Sequence, residues 1–308
     1  MGNYLILKII LFAKKNKILD KPDKRKQHVI PLARLGGISI FLSFLFSILL
    51  FITYLFAFES GISDMFIMKF LVLATLFFLM GIYEDFIGAS PKTRLFFQFL
   101  FAFFAWIAGI RIQQIDFLLF NNEFLVNLPI ILSAILTTLW IVSITNAINW
   151  LDGLDALVGG FSIINFLTLG IISFKNNNFI LLVIFIILMG SCLAFLKYNW
   201  PPSKIMMGDG GSYFLGFSIS VLSLEAFNIN IDGQLTQDVF FPAFLLAIPV
   251  LDMARVISAR LIEFKSPFYP DRKHLHHLLL NLGLSPTKTV LSIFSFLIIQ
   301  SIILLNIY

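Results

Sequence analysis

Apolar runs separated by short polar stretches follow one another along nearly the whole chain. Most runs hold about 16–23 residues, the length that crosses the hydrocarbon core of a bilayer as an α-helix. The first run, 3–13, contains Lys8 and is too short to span alone. The other runs are predicted to be nine spanning helices, at 36–58, 66–83, 95–110, 128–148, 155–174, 178–197, 210–228, 239–257 and 287–307.

This pattern predicts an all-α fold, a polytopic helical bundle of about ten transmembrane helices when the first run is counted as a partial one. Because no linker, repeat or low-complexity segment divides the chain, residues 1–308 are predicted to form a single membrane domain. The chain is 59% hydrophobic and 13% charged, whereas soluble domains are about 45–50% apolar and about 25% charged. Cys192 is the only cysteine, which excludes an intramolecular disulfide.

Lysine and arginine orient the predicted bundle, because cytoplasmic loops carry an excess of them. When successive loops are assigned to alternate sides, one side receives only Lys69, Arg111 and Lys175. Lys8 lies inside the first run, and the remaining 18 of the 22 lysine and arginine residues fall on the other side. We predict that this second side is cytoplasmic. The net charge of +5 then reflects topology and contact with anionic headgroups, not nucleic-acid binding.

The polar clusters of the chain lie at helix ends on the predicted cytoplasmic side, in the segments 20–37, 81–94, 144–160, 206–217 and 271–280. This side contains all four histidines and a set of acidic residues: His28, His274, His276, His277, Glu84, Asp85, Asp152, Asp155, Asp209 and Asp252. Helix capping or solvation explains any single carboxylate at a helix end equally well. Ionisable groups at membrane depth are costly, however, and their gathering on one side favours a functional site.

The residue types in these clusters suit phosphate chemistry. Carboxylates without nearby thiols favour Mg²⁺, which proteins bind through one or two acids together with substrate phosphates. The glycine-rich stretch 208–212 opens an apolar helix, so its backbone N–H groups can approach a phosphate while Asp209 holds the metal. The segment HLHH, residues 274–277, suits zinc as well, although no cysteine is near it in the sequence. Together these groups indicate phosphoryl transfer to or from a lipid.

Four stretches, taken together, resemble the polyprenyl-phosphate N-acetylhexosamine-1-phosphate transferase superfamily, glycosyltransferase family 4. They are RKQHVIPLARLGG, NAINWLDGLDAL, MGDGGSYFLGF and PDRKHLHHLL, and the resemblance extends from about residue 20 to 285. The segment HLHH resembles the branch that uses N-acetylglucosamine-type sugars, because the phospho-MurNAc-pentapeptide branch has three uninterrupted histidines. Two positions depart from the family pattern: Glu84 precedes Asp85 where two aspartates are usual, and Ala156 stands where glycine is common.

The resemblance implies an enzyme that moves N-acetylhexosamine-1-phosphate from a UDP-sugar to polyprenyl (undecaprenyl) phosphate and releases UMP, at the start of cell-envelope glycan synthesis. It implies Mg²⁺, or Mn²⁺ in its place, as cofactor. The implied partners are UDP-N-acetylhexosamine, polyprenyl phosphate and the lipid bilayer, with no nucleic acid. The implied location is the bacterial inner (plasma) membrane, with the active site on the cytoplasmic side. A monomer and a homodimer both remain open.

Roles are carried over from the family position by position. Asp209 and Asp152 are expected to bind the metal. The expected catalytic set contains acids beside the lipid phosphate or the nucleotide, and histidines that contact phosphate or sugar: Asp85, Glu84, Asp152, Asp155, His274, His276 and His277. The expected substrate-binding set is Asn146, Asn149, Lys26, His28 and Arg272.

Three other functions are compatible with parts of the sequence. A phospho-MurNAc-pentapeptide transferase, or a transferase for another UDP-amino sugar, would carry out the same type of reaction. A secondary transporter of a phosphorylated metabolite would place polar groups near the membrane midplane, often within inverted repeats; here they lie at helix ends. A non-catalytic lipid-binding protein would not need the near-complete set of acids and histidines. Mg²⁺-dependent release of UMP distinguishes an enzyme from the last two classes.

Overall fold

The computed structural model describes residues 2–16, 18–20, 31–58, 65–119, 122–231 and 234–308. Helices dominate these ranges, so the predicted helical membrane bundle is confirmed. The helices are α1 (Gly2–Lys15), α2 (Gly36–Phe58), α3 (Met65–Phe86), α4 (Pro91–Ile107), α5 (Ile130–Leu151), α6 (Leu157–Lys175), α7 (Phe179–Asn199), α8 (Asp209–Ala226), α9 (Phe240–Leu245), α10 (Ala247–Ile262), α11 (Leu275–Asn281) and α12 (Pro286–Ile307).

Six of the described helices, α2, α3, α5, α6, α7 and α12, are long and apolar enough to cross a membrane. The predicted number of about ten spans is therefore not confirmed. Helix α4 has only 17 residues and begins at a polar cap, Ser90. The predicted span 239–257 is two shorter helices, α9 and α10, separated at Leu246. The predicted span 210–228 is α8, whose acidic residues and serines lower its hydropathy.

Helix α8 lies at the centre of the bundle, where every one of its residues except Glu225 is buried. It packs against α3, α5 and α2. Glycine permits this close approach: a Cβ on Gly81 of α3 would lie 2.4 Å from the carbonyl oxygen of Asp209. Similarly, a Cβ on Gly216 of α8 would lie 2.7 Å from the Cα of Thr145. Small residues of this kind bring membrane helices together, so a helix that begins with polar residues can lie inside the bundle.

In the described residues, three antiparallel pairs of short strands connect the helices, and the sequence pattern did not predict them. They are β1 (Leu19–Asp20) with β2 (Leu32–Ala33), β3 (Gln114–Leu119) with β4 (Asn122–Asn127), and β5 (Asn228–Ile231) with β6 (Gln234–Gln237). The chain just before β3 is attached to α5, because the N–H of Ile112 donates to Thr137 Oγ1 at 2.9 Å. Strand β2 extends through a parallel bridge between Ala33 and Ile205, which joins it to the loop before α8.

Helices α3, α4 and α8 have two ends of different chemistry. The end of α3 and the starts of α4 and α8 meet at what we call the acidic end, which contains Asp85 and Asp209. The start of α3 and the ends of α4 and α8 meet at what we call the basic end, where Lys69 and Arg111 border one cavity. These ends correspond to the predicted cytoplasmic and outer sides.

Candidate active site

Asp85, one residue before the end of α3, bonds the first turn of α8. Its Oδ1 accepts from the backbone N–H of Asp209, and its Oδ2 accepts from that of Gly210, both at 2.9 Å. First-turn N–H groups lack partners within their own helix, and a negative charge is favourable beside them. The sequence predicted that this helix start approaches a phosphate. In the structure a carboxylate of the chain itself, 2% exposed, accepts from two of these groups.

Arg34 lies between the two aspartates of the acidic end. Its Nε is 3.2 Å from Asp85 Oδ1, and its Nη2 donates to Asp209 Oδ2 at 2.9 Å. The backbone just after Arg34 donates two hydrogen bonds to the loop before α8, at 2.9 and 2.7 Å, which fixes this position. In the sequence, Arg34 contributes only to the lysine and arginine bias, so its place in the site was not predicted. Its place inside the stretch RKQHVIPLARLGG was the available signal.

The two predicted asparagines of α5 have different surroundings. Asn149 Nδ2 donates to Asp209 Oδ1 at 2.8 Å and to Ser212 Oγ at 2.9 Å, so it belongs to the acidic end. Asn146, almost one turn earlier, donates to Gln98 Oε1 of α4 at 2.6 Å. The structure therefore brings Asn149 to the aspartates, whereas Asn146 joins α5 to α4.

Glu84 lies beside the same cluster but has a looser partner. Its Oε1 is 3.5 Å from Arg94 Nη1, which is also 3.5 Å from the hydroxyl of Tyr213. Glu84 Oε2 is buried and has no hydrogen-bond partner among the described residues. Arg94 and Tyr213 were not predicted as site residues, although both lie in the polar segments that the sequence analysis identified. They add a cation and a hydroxyl next to Glu84.

Asp152 and Asp155 occupy the turn between α5 and α6. Asp152 follows the last residue of α5, and Ala156 takes a left-handed conformation with φ of 69° before α6 begins. Neither aspartate side chain has a hydrogen-bond partner among the described residues. Burial raises the pKa of Asp152 to about 7; the charge of Arg34 opposes this rise, and Asp209 adds to it. A cation beside Asp152 would therefore stabilise its charged form.

The histidine segment packs against this turn. A Cβ on Gly153 would lie 2.2 Å from His276 Nε2, so only glycine leaves room for the imidazole. His276 is 1% exposed, and neither ring nitrogen has a hydrogen-bond partner among the described residues. Its ring lies between those of His274 and His277, with centroids 5.8 and 4.3 Å away. Burial and these neighbours lower the pKa of His276 to about 3, so it is neutral at pH 7.

Helix α10 holds the histidine segment in place. Asp252 accepts from the backbone N–H of Leu275 and bonds His274 Nδ1, both at 2.9 Å. His274 lies at the edge of Trp150, the residue before the last of α5, with ring centroids 5.5 Å apart. Asp252 was predicted to lie on this face, without a role. The structure makes it the residue that orients His274.

Arg260 of α10 anchors the loop that leads to the histidines. Its guanidinium is buried and makes two hydrogen bonds to the Asp271 carboxylate, at 2.8 and 3.0 Å, and a third to the Pro267 carbonyl. The guanidinium carbon also lies 5.1 Å from the centroid of Trp150, a cation–π contact. Arg260 and Trp150 were missed because nothing in the sequence shows that they meet.

The remaining predicted substrate-binding residues are less informative. Arg272 is exposed beside the histidine segment. Lys26 and His28 lie outside the described residues, so their predicted roles stay predictions.

Comparison with known proteins tests the predicted family. The model of a family described as "Glycosyl transferase family 4" matches residues 67–227, from the start of α3 to the end of α8. The chain belongs to this family. The match contains Glu84, Asp85, Asp152, Asp155 and Asp209, whereas Asp252, Asp271 and the histidine segment lie after it. The predicted superfamily is confirmed.

Named relatives resemble this family 4 chain over most of its length. The chain is 32% identical over 278 residues to the "Probable undecaprenyl-phosphate N-acetylglucosaminyl 1-phosphate transferase" of Bacillus subtilis (strain 168), covering 90% of the chain and 73% of the relative. It is 32% identical to the decaprenyl-phosphate N-acetylglucosaminephosphotransferase of Mycobacterium leprae, with 89% and 72% covered. It is 28% identical to an undecaprenyl-phosphate alpha-N-acetylglucosaminyl 1-phosphate transferase of Escherichia coli K12, with 88% and 71% covered.

The donor set of this family 4 site suits a divalent cation that the substrate helps to hold. Among the described residues, no group of three histidine, cysteine or acidic side chains forms a complete metal site, for magnesium or for zinc. Within the described part of the chain, Asp152 and Asp155 have carboxylate oxygens without protein partners, whereas Asp209 already contacts Arg34 and Asn149. Mg²⁺ is usually held by one or two carboxylates together with substrate phosphates, and the residues present fit that arrangement.

Proposed function

We propose that this protein transfers N-acetylglucosamine-type sugar 1-phosphate from a UDP-sugar to polyprenyl phosphate at the cytoplasmic face of a bacterial inner membrane. An oxygen of the lipid phosphate bonds to the β-phosphorus of the UDP-sugar. The bond from that phosphorus to the bridging oxygen breaks, so UMP leaves with the electron pair. The names of the relatives support the substrates, and the aspartates gathered around Arg34 at one end of the membrane helices support the chemistry.

The residues of the acidic end have separate tasks in this proposal. Asp152 and Asp209 would hold Mg²⁺, and the bound ion would supply positive charge beside the pyrophosphate. Arg34 and Asn149 fix the orientation of Asp209. Asp85 bonds both the start of α8 and Arg34 and so fixes their relative positions. Its expected contact with the lipid phosphate remains a prediction. Glu84, with Arg94 beside it, borders the same space.

The turn and the histidine segment supply the other part of the site. Asp155 faces no protein hydrogen-bond donor among the described residues, and we assign it with Asp152 to the nucleotide side. His276 is neutral and carries one donor and one acceptor nitrogen. Buried polar atoms normally have partners, so its two orphan nitrogens are assigned to a substrate phosphate or sugar hydroxyl. His274 and His277 flank it, with His274 oriented by Asp252.

The test is transfer by the purified full chain. The protein is incubated with undecaprenyl phosphate, Mg²⁺ and a panel of UDP-sugars that includes UDP-N-acetylglucosamine and UDP-MurNAc-pentapeptide. We expect labelled N-acetylglucosamine phosphate in the lipid phase, equal amounts of released UMP, and loss of both signals with a chelator, restored by Mg²⁺ or Mn²⁺. Transfer from UDP-MurNAc-pentapeptide instead would place the protein in the phospho-MurNAc-pentapeptide transferase branch. If no donor released UMP, the proposed enzyme activity would be contradicted.

The cytoplasmic placement of the site has its own test. In cells carrying Cys192→Ser, a cysteine is placed at Val126, exposed in β4, or at Lys92, exposed at the start of α4. An impermeant thiol reagent should label Val126→Cys from outside and leave Lys92→Cys unlabelled until the cells are opened. The reverse pattern would put the acidic end on the wrong side for a cytoplasmic nucleotide sugar.

A further inference from the structure

A second polar cavity lies at the basic end, across the bundle from the candidate active site. Its volume is about 270 Å³. The start of α3, the turn after α4, strand β3 and the end of α8 surround it, with polar lining residues Lys69, Arg111, Gln113, Gln114, Glu225 and Asn228. The proposed transfer reaction uses none of these residues.

Two cations border this cavity and have no carboxylate partner among the residues that the structure describes. Lys69 is half-buried in the second turn of α3, and its Nζ lies 3.8 Å from where a Cβ on Gly109 would be. The ammonium therefore lies over the turn after α4. Arg111, two residues beyond Gly109, is exposed at the same cavity. Within the described ranges neither side chain forms an ion pair. Unpaired ionisable groups at membrane helices tend to mark ligand sites.

The opposite wall of the cavity offers hydrogen-bond acceptors. Glu225 is the one residue of α8 that is not buried, and its Oε2 accepts from Asn228 Nδ2 at 2.8 Å. Gln114 Oε1 is buried and has no partner among the described residues. The last carbonyl groups of α8 add partial negative charge at this end of the helix. The cavity is therefore divided into a cationic side and an acceptor side.

The rest of the wall is apolar. Phe66, Ala108, Ile110, Val221 and Leu224 line it, next to the charged groups. A free inorganic anion would gain nothing from these side chains. A phospholipid has its phosphate at the border between polar and apolar regions, and basic pockets between membrane helices bind such headgroups.

We propose that this cavity binds a phospholipid with a cationic headgroup, of the phosphatidylethanolamine class. Its phosphodiester lies between Lys69 and Arg111, as charge-assisted hydrogen bonds favour. Its ammonium lies at Glu225 and Gln114 Oε1, and the start of its acyl chains lies along the apolar wall. A headgroup with both charges suits both sides of the cavity, whereas a purely anionic lipid would leave Gln114 Oε1 without a donor and would bring negative charge close to Glu225.

The test measures binding of phosphatidylethanolamine to the delipidated full chain by native mass spectrometry. Each cation removed should weaken binding about fivefold, so the double variant Lys69→Gln with Arg111→Gln should bind about 25-fold more weakly. Lys175→Gln is the matched control: it removes an outer lysine that donates to the Leu305 carbonyl, away from the cavity, and should bind like the parent. Thermal unfolding of each variant shows whether it remains folded.

A second variant tests the acceptor side. Glu225→Gln should lower the preference for phosphatidylethanolamine over phosphatidylglycerol and leave phosphatidylglycerol binding unchanged. A folded double variant that binds as well as the parent would overturn the site. Displacement of the lipid by inorganic phosphate would identify a free-anion site and overturn the lipid assignment. The measurement contains no sugar nucleotide, so its failure leaves the transferase proposal standing, and failed transfer leaves this one standing.

Discussion

Helices α3, α4 and α8 carry charged groups at both ends, but the groups are bonded in opposite ways. At the acidic end, Asp85 accepts hydrogen bonds from two backbone N–H groups, and Arg34 connects it to Asp209. At the basic end, Lys69 and Arg111 border a cavity and have no carboxylate partner in the described structure. We call Asp85, Arg34 and Asp209 a closed network, because they are bonded to one another or to the backbone of α8. We call Lys69 and Arg111 open groups, because they have no such bond in the described structure.

The difference separates preorganisation from ligand binding. A closed network keeps its geometry before substrate arrives, and electrostatic stabilisation of a transition state depends on charges that are already in place. An open set of charges gains its partner only when a ligand enters. The acidic end also contains open groups, since Asp152, Asp155 and His276 lack protein partners among the described residues. We infer that the closed part of the acidic end orients the groups that bind substrate.

The largest expected effect comes from the centre of the closed network. Asp209→Asn keeps the shape of the side chain and can still accept one hydrogen bond, but it lacks the charge that Mg²⁺ prefers. Transfer should fall by about 10³-fold, in line with the loss of one electrostatic group at a reacting centre. The measurement is UMP release against Mg²⁺ concentration at matched protein levels.

The matched control for this variant is Glu263→Gln, which removes a carboxylate on the same face whose partners are the exposed Lys265 and the half-buried Lys273. It should retain the parent's rate. If Asp209→Asn also retained the parent's rate and Mg²⁺ dependence, Asp209 would be no more than a structural member of the network.

Asp85→Asn tests whether the network is structural as well as catalytic. The amide would turn a donor toward one of the two N–H groups of α8, so one buried hydrogen bond becomes a repulsive contact. We expect a loss of about 1–3 kcal/mol in the free energy of unfolding, together with about a 10²-fold loss of transfer because Arg34 and Asp209 shift. Thermal unfolding in detergent and UMP release are measured on the same sample. An unchanged unfolding midpoint would contradict the capping role.

The sequence predicted which residues lie at the acidic end better than it predicted the hydrogen bonds between them. Apolar run length and lysine and arginine bias are properties of short segments, so they located the helix ends and the shared face of Asp85, Asp152 and Asp209. Hydrogen-bond partners depend on which helices touch. The position of Arg34 follows from the bridge between β2 and the loop before α8, which is invisible in a one-dimensional pattern.

The same physical difference explains why the predicted number of about ten spans is not confirmed. Run length identifies helices that face lipid, but α8 is surrounded by protein and tolerates a polar start, glycines and serines. The run 239–257 looks continuous in hydropathy, although the helix is interrupted at Leu246. His276 could be predicted as a site residue, but its contact with Gly153 could not, because the two lie more than 100 residues apart in the chain.

Asp271→Asn tests a second bonded pair, Arg260 with Asp271, which anchors the loop before the histidine segment. Its effect should depend on pH. Hydrogen bonds from Arg260 hold the pKa of Asp271 below its ordinary value of 3.8, against the opposing effect of burial. A carboxyl group with a lowered pKa stabilises the fold above its unfolded pKa, and this stabilisation is lost as the pH falls through the folded pKa. At pH 7 the variant should therefore be less stable locally than the parent, on the order of 2 kcal/mol.

The measurement is the rate of limited proteolysis in the loop 263–274, from pH 7 down to pH 3. The parent and Asp271→Asn should differ most at neutral pH and converge below pH 3.8, where Asp271 of the parent becomes protonated. Glu263→Gln removes exposed pairs in the same loop and should change the rate little. A difference that persists unchanged at pH 3 would show that Asp271 acts through packing and not through its charge.

Glu84→Asp should have the smallest effect, because it keeps the charge at position 84 and the one ion pair there, with Arg94, is long. The contact of Glu84 with Arg94 is 3.5 Å long, and Glu84 Oε2 has no protein partner among the described residues. Shortening the arm keeps the charge and restores the residue usual in the family, so transfer should stay within about fivefold of the parent, the range of a weak ion pair. Glu84→Gln, which keeps the length and removes the charge, should lose more activity.

The transfer rates of the two variants are compared at saturating and limiting polyprenyl phosphate. If Glu84→Asp lost activity as severely as Asp209→Asn, reach rather than charge would matter at this position, and Glu84 would belong with the closely fitted groups of the network.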